Sequence, residues 1–262
     1  YERNGVEDNA TNKMVIKGSV ESIADAEICI RLRAPQRNLT VFPADSLYAV
    51  EHDSMDTTFR SMYYGLWAFV NANAERKSLL TGKAGPEFDA SYDAKIAHSI
   101  DDFERVALKA IAARDYFLLV GPPGTGKTSR ALKKMVEMFH SNPDNQILLL
   151  AYTNRAVDEI CQTLSSIEPV LDYIRMGSEL ACDVRYREHL LENVLMACET
   201  RQEVLQRMSA CRVYVGTVAT LSSKSDLFKL KHFDVAIIDE ATQILEPQLL
   251  PILCAKNPDG RN

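Results

Sequence analysis

The residues best suited to chemistry form the run GPPGTGKTS, Gly121 to Ser129. Gly121, Gly124 and Gly126 let a loop close tightly round an anion, because backbone N–H groups turn inward with no Cβ in the way. A helix pattern, SRALKKMVEMFH, starts at once, and a helix N-terminus attracts negative charge. Lys127 is placed to reach the β- and γ-phosphates of a nucleotide, and Thr128 offers its hydroxyl to Mg²⁺. Pro122, Pro123, Thr125 and Ser129 complete the wall of the loop. The second run is VAIIDE, Val235 to Glu240. Its four apolar residues predict a buried strand, so Asp239 emerges at the strand's C-terminal end, where it holds Mg²⁺ directly or through water. Glu240 follows on the opposite side of the backbone. It takes a proton from a water attacking the γ-phosphate, or orients that water. The bland alternatives are an accidental glycine-rich turn and an exposed acidic loop. Strand–loop–helix flanks at the first run and an α/β pattern between the two runs argue against both.

Those groups need a frame. From about Ala90 the chain reads as helices alternating with short apolar strands. DDFERVALKAIAAR is an amphipathic helix with acidic residues in its first turn. YFLLV reads as a short buried strand before the loop. QILLLAY, VLDYIRM, RVYVGT and FDVAIIDE are further strands, and NRAVDEICQTLSSI is a helix. The alternation predicts a doubly wound, mostly parallel sheet with its working edge at the strand C-termini. Ser178 to Ala210 is helical and polar and reads as an inserted helical pair. Upstream, EICIRLR alternates with period two and predicts a half-buried strand; MVIKGSV, LTVF and LYAV are shorter strand candidates. Together they predict a small antiparallel sheet or barrel over residues 14–50. Residues 51–89 are helical, with Phe59, Met62, Tyr63, Leu66 and Val70 at helical spacing and a break at Gly82 to Pro86. Trp67 and its neighbouring tyrosines are better read as helix packing than as a platform for stacked bases. Residues 1–13 are polar and aperiodic and read as a frayed end.

The composition is that of an ordinary globular chain: 262 residues, 46% hydrophobic, 25% charged. A net charge of −6 argues mildly against a partner held by phosphate neutralisation alone. A narrow channel of amides and hydroxyls still suits a single strand. None of the six cysteines forms a C-x-x-C pair, so scattered core thiols are predicted and no metal role is assigned to them or to the five histidines. No apolar run is long enough to span a bilayer. A cytoplasmic monomer with no membrane partner is the resulting expectation, associated with the nucleoid if the source is bacterial. The first residue is Tyr1, which suggests an excised or processed chain.

Four motifs in order, GPPGTGKT, TNRAVD, VGTVAT and DEATQ with EP shortly after, resemble the first RecA-like domain of a superfamily 1 helicase of the 5′-to-3′ branch. That branch includes the nonsense-mediated-decay helicase and the replication nuclease-helicase. The match covers about Ala90 to the end. The resemblance implies a RecA-like P-loop NTPase fold, ATP with Mg²⁺ as cofactors and a single-stranded nucleic acid as partner. LYAVEHDSM and IRMGSE lean toward the DNA group. It also implies a β-barrel over 14–50, a helical stalk over 51–89 and a motor domain over 90–262 with an insertion at about 178–210. By the same resemblance Thr153, Asn154, Gly216 and Thr217 touch the strand backbone, and Gln243 senses the γ-phosphate. Asn154 equally suits a helix N-cap. Two departures stand out. The family's adenine-reading Gln is absent, and Phe103 and Glu104 occupy its region. The chain also stops before the next helicase motif and before a second RecA-like domain with its arginine fingers. The chain alone is therefore expected to bind nucleotide weakly, hydrolyse it poorly and unwind nothing. RNA unwinding by the same branch and remodelling of a protein client are the alternative functions.

Overall fold

The computed structural model describes residues 16–32, 42, 48–50, 57–224 and 226–255. The expected frayed end at 1–13 and nearly all of LTVF lie outside these residues. The chain divides into two compact units, 1–54 and 55–262.

In the first unit β1 (Gly18–Ala24) and β2 (Glu27–Leu32) form an antiparallel hairpin, with Val20 opposite Ile30 and Ile23 opposite Ile28. Two expectations change here. The first strand starts at Gly18, with Ile16 and Lys17 in no strand, and the second is not half-buried, because Ile28 and Ile30 remain exposed. A two-stranded ribbon covers its side chains only with cross-strand neighbours. Residues 48–50, from the LYAV candidate, lie in no strand.

The second unit opens with α1 (Thr57–Val70), α2 (Ala74–Leu80), α3 (Asp93–His98) and α4 (Asp102–Ala112). A π-type turn, Lys127–Leu132, runs directly into α5 (Lys133–His140). Then come β3 (Ile147–Ala151), α6 (Asn154–Leu164) and β4 (Tyr173–Met176). Two 3₁₀ turns, α7 (Leu191–Leu195) and α8 (Arg201–Ala210) cross to β5 (Val213–Thr217). The unit continues through α9 (Val218–Ser223), α10 (Leu227–Leu230), β6 (Val235–Ile238) and α11 (Glu246–Leu253).

The strands lie in the order β4-β5-β3-β6, all parallel. Parallel strands of this kind are covered on both faces, so they read as continuous apolar runs. Successive side chains of ILLLA explain the layering. Ile147, Leu149 and Ala151 join Val213, Val215 and Tyr173 on one face, under α4, α5 and α6. Leu148 and Leu150 join Tyr214, Ile174 and Met176 on the other, under α9 and α11. The doubly wound architecture is thus present. The inserted segment, expected to be simply polar, contributes Cys182, Tyr186 and Leu190 to the first of these layers.

One expected strand is missing. Tyr116–Val120 forms no ladder; Leu119 packs on the core, but Leu118 is 76% and Val120 91% exposed. A strand needs a neighbour for its N–H and C=O groups. β6 pairs only with β3, and no described residue pairs with the free edge of β6 or with 116–120.

The helical region also departs from its pattern. Phe59, Tyr63, Leu66 and Val70 are exposed, as is Trp67, so the expected packing face points outward. The stripe that packs is Gly65, Ala68, Phe69 and Ala72, seated on Leu250 of α11 and on Cys254 just past its end. Small residues win because the backbones approach so closely: a Cβ on Gly65 would lie 2.0 Å from the Pro247 carbonyl oxygen. A further break, unforeseen, separates α1 from α2, where the Asn73 side chain accepts a hydrogen bond from the Arg76 N–H and caps α2. Gly65→Ala should cost about 1–3 kcal/mol through overpacking. Thermal melting should show the loss, and limited proteolysis should find new cleavage within 57–80. Unchanged melting and digestion would mean the helix pair opens freely.

Candidate nucleotide and strand site

The phosphate loop takes its shape from two glycines. Gly124 has φ +81° and Gly126 has φ +82°, a left-handed backbone that side chains disfavour. Gly126 then starts the helix, and both Arg130 N–H and Ala131 N–H donate to its carbonyl. The Lys127 ammonium rests on the loop itself, donating to the Gly121 carbonyl at 2.6 Å and the Pro122 carbonyl at 2.9 Å. The Thr125 hydroxyl also donates to the Pro122 carbonyl, at 2.8 Å. Pro122, Pro123, Gly124, Thr125 and Ser129 are exposed and line the mouth of the loop.

β6 delivers the acidic pair. The Asp239 N–H extends the ladder by one bond, donating to the Leu150 carbonyl at 2.8 Å. Its carboxylate accepts the Thr128 hydroxyl at 2.6 Å, joining groups 111 residues apart in the chain. Two hard oxygen donors side by side are the donor set that a small divalent cation such as Mg²⁺ takes. Glu240 adopts φ 52° and ψ 38°, a left-handed conformation. That costs a residue with a side chain about 1–2 kcal/mol. Gln243 secures the turn twice: its N–H donates to the Glu240 carbonyl at 2.9 Å, and its side-chain amide donates to the Glu240 carboxylate at 2.8 Å. The expected acid–base residue and the expected phosphate sensor are therefore in direct contact.

The groups expected at the strand lie along the same C-terminal edge. Thr153 and Asn154 are exposed, just past the end of β3. The N-cap of α6 is Thr153, whose hydroxyl accepts from the Ala156 N–H at 3.1 Å; Asn154 is the first helical residue. The cap thus falls one residue earlier than the sequence suggests. Gly216 and Thr217 are buried at the end of β5. A Cβ at Gly216 would meet Leu221 at 2.6 Å, and the Thr217 hydroxyl caps α9 through the Thr220 N–H at 3.1 Å. Both serve the packing of that corner, with Thr220 beside them.

Sequence reasoning overlooked the pair that seats α6. Asp158, within TNRAVDEI, accepts a hydrogen bond from Arg175 on β4. Arg175 is 1% exposed and also donates to the Ala181 carbonyl at 3.1 Å and to the Cys182 sulfur at 2.9 Å. Nearby, burial pushes the Cys161 thiol up to about 12. The only sequence signal was an Arg within an otherwise apolar strand, YIRM, which demands a partner.

A phosphate loop, a paired hydroxyl and carboxylate, and an adjoining acid on the C-terminal edge of a parallel sheet define a P-loop domain of RecA-like architecture. Comparison with known proteins agrees. A family described as an AAA domain matches residues 99–215. The DNA replication ATP-dependent helicase/nuclease JHS1 of Arabidopsis thaliana is 30% identical over 221 residues, 80% of this chain and 16% of that protein. The DNA replication ATP-dependent helicase/nuclease DNA2 of Gallus gallus is 26% identical, over 84% of this chain and 23% of its own length. RNA helicase Mov10l1 of Homo sapiens is 28% identical over 58% of this chain and 13% of its own length. These similarities support a superfamily 1 helicase of the group related to the replication helicase/nucleases. The chain spans less than a quarter of the length of these relatives.

Proposed function

We propose that this chain supplies the first motor domain of an ATP-driven helicase that moves along a single nucleic-acid strand, DNA by preference. The observation that carries the reading is the Thr128–Asp239 hydrogen bond at 2.6 Å, with Glu240 next in the chain. It brings the phosphate loop and the acidic pair together at the edge that also bears Thr153 and Asn154. Thr128 and Asp239 would hold Mg²⁺, which supplies positive charge against the phosphates. Lys127 exchanges its two loop carbonyls for β- and γ-phosphate oxygens, a stronger, charge-assisted pairing. Glu240 holds the attacking water and accepts its proton. Gln243, already bonded to Glu240, links the γ-phosphate to the acid. Thr153 and Asn154 offer hydroxyl and amide groups to the strand backbone without reading its sequence.

The preference for DNA follows the helicase/nuclease relatives, while Mov10l1 supports RNA. The test is steady-state ATP hydrolysis by the protein that contains this chain, with no polymer, with single-stranded DNA and with single-stranded RNA. DNA should stimulate the rate most. Stimulation by RNA alone would move the protein to the RNA branch. A substantial basal rate raised by neither polymer would overturn the translocase reading and point to a protein client.

A further inference from the structure

We infer that the exposed apolar stripe of α1 is a dimer interface, and that it seats the same stripe of a second copy of this chain with the two helices antiparallel. The sequence of α1, TTFRSMYYGLWAFV, contains one charged residue, Arg60. A helix that is apolar all round belongs in an interior. One side of α1 is covered, because Gly65, Ala68, Phe69 and Ala72 pack on α11 and the residue after it. The opposite side is open among the described residues: Phe59 is 60%, Tyr63 72%, Leu66 46%, Trp67 67% and Val70 62% exposed.

The spacing identifies the kind of partner. Phe59, Tyr63, Leu66 and Val70 follow one another by steps of four, three and four residues. Such steps hold one line along a helix, and they are the steps of a coiled-coil seam whose d, a, d and a positions face a second helix. Trp67 flanks the seam. None of the five side chains carries a charge, so the stripe suits another apolar helix better than a phosphate backbone.

The stripe is also complementary to itself. In a twofold pair, residue i of one copy meets residue j of the other, and j meets i. An antiparallel pair centred between Tyr64 and Gly65 sets Phe59 against Val70 and Tyr63 against Leu66. Each layer then joins one aromatic ring to one branched aliphatic side chain, the large-with-small filling that packs a core. A parallel pair would set Phe59 against Phe59 and Val70 against Val70, crowding one layer and underfilling another. The area agrees. With aromatic side chains of about 150–250 Å² each, the five exposed residues offer about 500 Å² per chain, so two copies bury about 1,000 Å², the size at which a specific interface begins. The stripe is presented already formed, since α1 is held from behind by the close approach of Gly65 to Pro247. A dimer departs from the monomer that the sequence suggests.

Sedimentation equilibrium of the 262-residue chain tests the inference, between about 1 and 100 μM, a range that brackets the weak association expected of so small an interface. The mass should rise from that of one chain toward twice that value. Tyr63→Glu places a charge in each half of the seam and should weaken association by about 30-fold or more, the loss expected at an interface hot spot. Tyr63 is exposed in the single chain, so this variant should melt like the wild type in dilute solution. Cross-linking reads the direction. A Cys29→Ser, Cys198→Ser background removes the exposed and half-buried native thiols. Phe59→Cys and Val70→Cys chains in that background, mixed and treated with a short thiol-bridging reagent, should form a covalent dimer. Neither should do so alone, because the two copies of residue 59 would lie about 16 Å apart along the helix axis. A single-chain mass throughout the range overturns the dimer. Unchanged association of Tyr63→Glu places the contact elsewhere and overturns the interface. Cross-linking of each variant with itself overturns the antiparallel arrangement.

Discussion

Glu240→Gln should lower strand-stimulated ATP hydrolysis by about 10²- to 10⁴-fold, the range of a positioned general base, while nucleotide binding stays near the wild-type level. The reason lies in what the substitution preserves. Glutamine has the same shape, and its carbonyl oxygen can still accept the hydrogen bond that the Gln243 amide now gives to the carboxylate at 2.8 Å. The backbone bond from Gln243 N–H to the carbonyl of residue 240 is untouched. Only the ability to take a proton is lost. Lys127→Ala should do the opposite, weakening nucleotide binding first. Steady-state rates with saturating single-stranded DNA, set beside equilibrium binding of a fluorescent nucleotide, separate the two. If Glu240→Gln lost affinity as much as rate, Glu240 would belong to nucleotide binding and the base would have to be sought elsewhere.

Asp158→Ala should destabilise the second unit by about 3 kcal/mol, because removing one partner strands a buried charge. In a domain of this size that is a fall in Tm of roughly 6–12 °C. Arg175 is 1% exposed, whereas the Asp158 side chain is 22% exposed. The asymmetry makes a second expectation. Arg175→Met removes the buried charge itself and leaves an aspartate that water can reach, so it should cost less than Asp158→Ala. Urea denaturation of both variants checks the order. Asp158→Ala within 0.5 kcal/mol of wild type, the range of ordinary surface changes, would mean that the pair contributes nothing net. The pair also bears on the groups expected at the strand, because Thr153 caps α6, Asn154 opens it and Asp158 lies one turn later.

Most of the site was legible in the sequence because its parts are local. The phosphate loop depends on glycines within six residues, and the acidic pair on four apolar residues before it. The sheet was legible too, since ILLLA and VYVGT are buried on both faces and read as unbroken apolar runs. What stayed hidden depends on long-range choices. Periodicity marks Phe59, Tyr63 and Leu66 as an apolar face, but cannot say that the Gly65–Ala68–Ala72 stripe is the one narrow enough for α11. Tyr116–Val120 has a strand's composition, yet pairing is a property of neighbours, and the described residues offer it none. The left-handed Glu240 is equally silent in sequence, because glutamate carries no mark of positive φ. Arg175 was visible as an anomaly in an apolar strand, but its partner lies 17 residues upstream on another element.

The close contact between α1 and α11 has a mechanical consequence. Only Ile244 and Leu245 separate Gln243 from the first residue of α11, and Ile244 is buried in the core. α11 in turn grips α1 backbone to backbone at Gly65 and Pro247. The path from Gln243 to α1 thus runs through one buried residue and one close backbone contact. Were Gln243 to act on the γ-phosphate as proposed, a tilt of the turn at 240–243 would be passed along that path to α1, as a crank passes a stroke.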